Sequence, residues 1–156
     1  MSARKRSLVL VLCLAATALW SVHAQDEEEG PYDNEIGYRQ ALMKSIGGHV
    51  AASAALVTGK VTEPGHLKIH AAAIAGVSND IPKYFPKDST DEDSAAKPEI
   101  WMDWDDFEKK AHDMHDAAVA YNRLVQADGS AADVRTAFKS LTDTCKACHE
   151  DYRKKD

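Results

Sequence analysis

Cys145-Lys146-Ala147-Cys148-His149 lies seven residues before the end of this 156-residue chain and places two thiols next to an imidazole. This spacing is the one that attaches a c-type haem. Each thiol can form a thioether with a haem vinyl group, and the histidine ring can bind the iron. We therefore expect one covalently attached haem c per chain, with Cys145 and Cys148 as attachment points and His149 as an iron ligand.

Two other uses of a CxxC pair fit the sequence less well. A redox dithiol would open a helix within a strand–helix–strand pattern, and a zinc site would need a second ligand pair at a suitable spacing. The sequence has neither pattern, and its third cysteine, Cys13, lies in the apolar N-terminal stretch. The haem interpretation is preferred for these reasons.

Outside this motif, apolar residues recur at steps of three and four along four segments, the period of an amphipathic α-helix. They do not alternate in twos, so no strand is predicted. The predicted fold is all-α, an antiparallel four-helix bundle around the haem. The four stripes run from Ile36 to Val57, from Leu67 to Ile81, from Trp104 to Val125 and from Val134 to Tyr152.

The helix ends and the connections carry their own signals. Thr62 and Asp103 are predicted N-caps of the second and third helices, and Ser130 is the predicted N-cap of the fourth, after Gly129 has ended the third. The short connections at 58–61 and 127–130 make the helices that they join antiparallel neighbours. The central connection, 82–98, is long and contains three prolines, which predicts a crossover loop or a partly mobile one.

The N-terminus predicts export. Arg4-Lys5-Arg6 precedes an apolar stretch at 8–20, and Val22-His23-Ala24 is a small-residue cleavage pattern. The stretch is shorter than the roughly twenty residues that span a bilayer. Residues 1–24 are therefore predicted to be a signal peptide, and residues 25–156 one soluble domain in the periplasm with no membrane insertion.

The charge balance favours some partners over others. Residues 1–24 hold three basic and no acidic residues, so their removal leaves 16 Lys and Arg against 25 Asp and Glu, a net charge of −9. Such a balance disfavours nucleic acid and favours a redox partner protein with a basic docking surface. The alternative is that the charge only keeps an exported protein soluble.

The position of the haem motif on the last of four helices resembles the cytochrome c′ family, the class II cytochromes c. The resemblance covers the whole predicted mature chain. It implies that the haem packs inside one end of a left-handed four-helix bundle with His149 as proximal ligand, and that two chains form a homodimer through their first two helices. It rests on the stretches YRQALMK at 38–44, GG at 47–48, YFP at 84–86, PEIW at 98–101 and CKACHEDYRKK at 145–155.

The resemblance also implies that Met43, four residues after Arg39, points at the haem face opposite His149. A thioether is a soft ligand for iron, and a Met/His pair gives a six-coordinate, low-spin centre with a raised potential. The main prediction is therefore an electron-transport cytochrome with His149 and Met43 as axial ligands. The alternative is a five-coordinate cytochrome c′, in which Met43 only lines the pocket and the open iron face binds nitric oxide or carbon monoxide.

Two further polar residues, Arg39 and Gln40, are candidate site residues. Both match family positions near the haem edge and its propionates, where a guanidinium suits a carboxylate, although a solvated helix arginine would give the same pattern. No enzyme is predicted, because Leu42, Met43 and Ile46 offer no acid–base residue on the distal side. The remaining histidines are predicted to be surface or core residues: His49, His66, His70, His112 and His115.

Overall fold

The computed structural model describes residues 35–87, 89–92 and 94–155. Within them the chain is helical, and Ala96 and Arg153 form a single isolated bridge but no strand. The prediction of an all-α four-helix bundle is confirmed, with one short helix added. The elements are α1 (Glu35–Val57), α2 (His66–Ser78), a 3₁₀ turn (Ile81–Tyr84), α3 (Glu99–Met102), α4 (Trp104–Gln126) and α5 (Ala131–Tyr152).

The predicted signal peptide, residues 1–24, lies outside the described residues. Among the helices that are described, none has the length and apolar character needed to cross a bilayer.

The four long helices contact one another in a ring. α1 packs against α2, α2 against α4 and α4 against α5, while α1 and α5 make far fewer contacts. The short connections make α1 antiparallel to α2, and α4 antiparallel to α5. The sparse packing between α1 and α5 leaves room for a cavity on the side of the bundle where the CxxCH motif lies.

α4 supplies the most deeply buried stripe, at the spacing predicted from the sequence. Tyr121 and Ala118 are fully buried, and Ile74 of α2 and Leu141 of α5 pack into the same core. Each large apolar side chain buried in this way contributes about 1.5–3 kcal/mol. The buried residues of α4 are Phe107, Ala111, Met114, Ala118, Tyr121 and Val125.

The helix ends differ in part from the predictions. α2 begins at His66 after Gly65, whose φ of 82° requires the left-handed conformation that glycine adopts freely, so Thr62 is not its N-cap. Asp103 does hold the N-cap position of α4, but its side chain makes no capping hydrogen bond. The Ser130 cap is confirmed, because its Oγ accepts from the Asp133 N–H at 3.2 Å.

The end of α4 also departs from expectation, because the left-handed residue is Asp128 and not Gly129. Asp128 has φ 54°, and the Gly129 N–H then donates to the Leu124 carbonyl at 2.9 Å. This is the Schellman arrangement, which satisfies carbonyls that the helix end would leave unpaired. A side chain at Gly129 would place its Cβ 3.0 Å from the Leu124 carbonyl oxygen, which explains the glycine.

The central connection is tied to the end of α5. The Lys97 N–H donates to the Tyr152 carbonyl at 2.9 Å, and the Lys154 N–H donates to the Ala95 carbonyl at 2.8 Å. Trp101 Nε1 donates to the Pro86 carbonyl at 2.9 Å and closes the connection on itself. The crossover therefore runs beside the CxxCH motif and contributes to the cavity wall.

Candidate functional site

A cavity of about 660 Å³ lies between α1, α4, α5 and the central connection. Its volume is in the range of pockets that bury cofactor-sized ligands, about 300–1,000 Å³. Cys145, Cys148 and His149 all line it, and so do Arg39 and Met43 of α1. The fold therefore brings together residues that are more than one hundred positions apart in the sequence.

The two thiols lie on one face of α5 because they are three residues apart, about one helical turn. Both are half-buried and both are free cysteines. Burial raises the pKa of Cys145, and it raises the pKa of Cys148 to about 11. A raised pKa disfavours a reactive redox dithiol, whose attacking thiol needs a lowered pKa.

His149 lies on the same wall, at the open side of the cavity. Burial of part of the ring lowers the pKa of His149, and the nearby charge of Arg153 lowers it further. A lowered pKa keeps the imidazole neutral at pH 7, which is the form that binds a metal ion. Arg153 also lines the cavity, one helical turn beyond His149.

α1 supplies another part of the lining, which holds the polar residues Arg39, Gln40 and Lys44 and a group of four apolar residues. The apolar residues are Met43, Ile46, Gly47 and Val50, and a Cβ built at Gly47 would meet no other atom within 4 Å. The packing of the chain itself therefore does not require a glycine here. The missing side chain leaves space on the cavity wall for a flat group.

Arg39 is 3% exposed and holds the central connection. Its Nη1 donates to Ser89 Oγ at 2.7 Å, and its Nη2 donates to the Ser89 carbonyl at 2.6 Å and to Ser94 Oγ at 2.7 Å. Burial lowers the pKa of Arg39, and the charge of Asp91 opposes this effect. These hydrogen bonds all go to the connection, so Arg39 lines the cavity and also fixes one of its walls.

A charged network supports the α5 wall. Tyr152 Oη donates to Asp106 Oδ2 at 2.7 Å, and Lys110 Nζ donates to the same oxygen. Lys110 Nζ also lies 3.1 Å from Asp151 Oδ2. The hydrogen bond to Asp106 raises the pKa of Lys110, so its charge persists beside Cys148.

Several cavity residues were missed by the sequence predictions. Lys110 and Arg153 line the cavity, and Phe85, Ala95 and Ala96 reach it from the central connection. Arg153 carried a local signal, since it is four residues after His149 and so on the same helix face. The connection residues carried none, because only the crossover brings them to α5.

Comparison with known proteins places the chain in a family. The sequence model of the family described as Cytochrome C′ matches residues 34–153. The chain belongs to the cytochrome c′ family. As a member, it carries covalently attached haem c in a four-helix bundle.

Individual relatives agree with this assignment. A cytochrome c-556 from Agrobacterium tumefaciens (strain apple 185) is 40% identical over 121 residues, which cover 76% of this chain and 94% of that protein. Cytochrome c′ from Pararhodospirillum photometricum is 33% identical over 119 residues, which cover 76% and 94% of the two chains.

Solved structures of cytochrome c prime from Alcaligenes xylosoxidans share the fold. A nitric oxide complex of one of its mutants has a TM-score of 0.72 and 26% identity, and the match covers 80% of this chain and 97% of that one. A carbon monoxide-bound variant has a TM-score of 0.72 and 26% identity, with 81% and 98% covered.

The residues of this cytochrome c′ cavity fit a c-type haem. α5 contributes two thiols and a neutral imidazole to the lining, and α1 contributes an apolar group with space at Gly47. The lining includes no carboxylate, which suits a cofactor with two propionate groups. The cationic side chains on the lining are Arg39, Lys44, Lys110 and Arg153.

Proposed function

We propose that this member of the cytochrome c′ family binds nitric oxide or carbon monoxide at the haem iron, on the side of the cavity that α1 lines. The observation that carries the proposal is the apolar group of Met43, Ile46 and Val50 on α1, which lines the same cavity as His149. The related proteins of Alcaligenes xylosoxidans with bound nitric oxide and carbon monoxide support it.

The α5 residues hold the cofactor in this proposal. Cys145 and Cys148 form the thioether bonds, and the neutral ring of His149 is the proximal ligand. The haem, once attached, supplies an iron atom able to bind a diatomic ligand. Burial of the thiols and the depressed pKa of His149 both suit these roles.

This apolar group selects what enters. Met43, Ile46 and Val50 offer no hydrogen-bond donor, so a neutral diatomic loses little on leaving water, while an anion or a polar ligand would be desolvated without compensation. General acid–base catalysis on peroxide would need a histidine or a carboxylate near this apolar group, and among the described lining residues there is no carboxylate and no histidine other than His149. For this reason we propose a binding protein and not an enzyme.

Electron transport is the second candidate function, and Met43 favours it. Met43 lines the same cavity as the α5 motif, and a thioether that bound the iron together with His149 would give a low-spin centre suited to electron transfer. The two candidates share Cys145, Cys148 and His149. They differ in whether the Met43 sulfur bonds to iron or only packs beside it.

The visible spectrum of the ferrous protein, with and without carbon monoxide, separates the two candidates. Gas binding predicts a high-spin ferrous spectrum that changes rapidly when carbon monoxide is added, and Met43→Leu should leave this behaviour unchanged. A low-spin ferrous spectrum with slow carbon monoxide uptake would contradict it, above all if Met43→Leu made the protein high-spin. Ile46→Leu is the matched control on the same wall.

Mass spectrometry tests the attachment. The exported protein should carry the mass of one haem, and the haem should survive acid–organic extraction. Cys145→Ser should leave one thioether, and the Cys145→Ser/Cys148→Ser pair should leave none. Covalent haem in the double variant would refute these attachment points.

We further propose that residues 1–24 direct export to the periplasm, and that the acidic mature chain meets a basic redox partner. Salt screens surface charges beyond about 8 Å at physiological ionic strength, so the association rate with such a partner should fall steeply as salt is added.

We also propose that two chains form a homodimer through α1 and α2. Sedimentation of the haem-loaded protein tests it, and a monomer mass at high concentration would refute it.

A further inference from the structure

A second cluster of titratable side chains lies between α1 and α2. His49 Nδ1 and His70 Nδ1 lie 2.9 Å apart and share a hydrogen bond, in which the ring that carries the Nδ1 proton donates to the other, and their ring centroids are 5.2 Å apart. His66, one turn before His70 on α2, presents its ring edge-on to His70 with centroids 6.3 Å apart. None of the three histidines is part of the cavity lining, so the cluster is separate from the haem site.

We propose that His49 and His70 form a binding site for one Cu²⁺ ion, with their Nδ1 atoms in adjacent equatorial positions. Two imidazole nitrogens bound at about 2.0 Å lie about 2.8 Å apart when they subtend a right angle at the metal, and about 3.3 Å apart in a tetrahedral site. The observed 2.9 Å separation is close to the right-angle value, and Cu²⁺ would replace the proton shared by the two rings, which is released to solvent. Square-planar and tetragonal sites with nitrogen ligands are typical of Cu²⁺, which also binds such ligands most tightly of the divalent metals.

The site is open to solvent on one side. His49 and His70 are half-buried, and His66 is exposed, so an ion can reach both Nδ1 atoms and keep water in its other positions. In the described part of the chain, no three His, Cys, Asp or Glu side chains stand ready to hold a metal. The site therefore has two protein ligands as it stands, and His66 becomes a third only after its exposed ring rotates.

The other histidine pair lacks this geometry. His115 Nδ1 lies 3.0 Å from Ser78 Oγ of α2, so this ring is engaged by a hydroxyl. His112 is exposed on α4, three residues before His115. His112 is therefore a suitable matched control, a solvent-facing histidine on the same protein that belongs to no cluster.

Calorimetric titration of the haem-loaded protein with Cu²⁺, together with electron paramagnetic resonance, tests the proposal. The wild type should bind one equivalent, and its Cu²⁺ signal should show coupling to two nitrogen atoms. Losing an outer-shell partner of a metal ligand costs about 10–100-fold in affinity, so losing a ligand itself should cost at least about tenfold. His49→Ala and His70→Ala should each weaken binding by that factor and leave one nitrogen coupling.

The controls make the outcome decisive. His112→Ala should bind Cu²⁺ as the wild type does, and the haem absorption spectrum of each variant reports whether the bundle has kept its fold. Should either ligand variant fail to fold, the other tests the same pair independently. Equal Cu²⁺ affinity in His49→Ala, His70→Ala and the wild type would overturn the proposal, as would a wild type with no stoichiometric binding.

Discussion

Replacing the buried Arg39 by methionine should weaken the tie between α1 and the central connection. Methionine keeps a long apolar side chain, so the change removes the guanidinium with little loss of volume. The change deletes three hydrogen bonds of 2.6–2.7 Å and the contact with the Phe85 ring, whose centroid lies 4.8 Å from the guanidinium carbon. The acceptors left behind are two serine hydroxyls and one carbonyl.

The expected loss follows from those acceptors. A hydrogen bond to a charged group contributes about 1.5–3 kcal/mol. The lower value applies here, because Ser89 is half-buried and open to water, and Ser94 Oγ still accepts from the Ala96 N–H. The three bonds together therefore contribute about 4.5 kcal/mol. Removing the cost of burying a charge offsets part of this. We expect the free energy of unfolding to fall by about 3 kcal/mol, and the melting temperature of a domain of this size to fall by about 10 °C.

Guanidinium chloride unfolding of the haem-loaded protein, followed by far-ultraviolet circular dichroism, measures this loss. Arg135→Met is the matched control, because Arg135 is exposed on α5 and a surface substitution should change stability by less than about 0.5 kcal/mol. Hydrogen exchange at residues 89–97 should also accelerate in the Arg39 variant alone. An Arg39→Met protein as stable as the control would show that the guanidinium does not hold the connection in place.

Other perturbations probe the bundle away from Arg39. Ser130→Ala removes the confirmed N-cap of α5 and should lower the free energy of unfolding by about 1 kcal/mol in urea denaturation; no change would mean that the cap is dispensable. Tyr121→Phe removes a buried hydroxyl that makes no well-formed hydrogen bond among the described residues, although the Ser53 side chain lies close to it; we expect stability to be unchanged or higher, and a loss above about 1 kcal/mol would show that Ser53 is a hydrogen-bond partner. Hydrogen bonds from Lys110 and Tyr152 lower the pKa of Asp106 below its ordinary 3.8. Asp106 therefore stabilises the folded state above pH 3.8 and loses this effect as the pH falls through its lower folded value. Asp106→Asn should be less stable than the wild type at pH 6, and the difference should shrink toward pH 2; a difference independent of pH would contradict this.

The sequence by itself determined the helices and the attachment motif. The stripe from Trp104 to Val125 predicted the buried face of α4 nearly residue by residue. An α-helix repeats every 3.6 residues, and the face that carries its apolar side chains is buried in the core. Cys145, Cys148 and His149 are close in sequence and share one α-helix, so their spacing alone placed the two thiols on one face. These signals are local, and the backbone geometry of a helix is enough to interpret them.

Tertiary structure alone decided how the cavity is closed. The sequence predicts Arg39 near the haem edge, and Arg39 lines the cavity. Only the structure shows that its guanidinium also donates to Ser89 and Ser94, which are 50 and 55 positions away. Likewise, the backbone of the central connection pairs with Tyr152 and Lys154 at the end of α5. Such contacts depend on where a long crossover returns to the bundle. The sequence pattern within one segment cannot predict where the connection contacts the bundle, because that position follows from the packing of all four helices together.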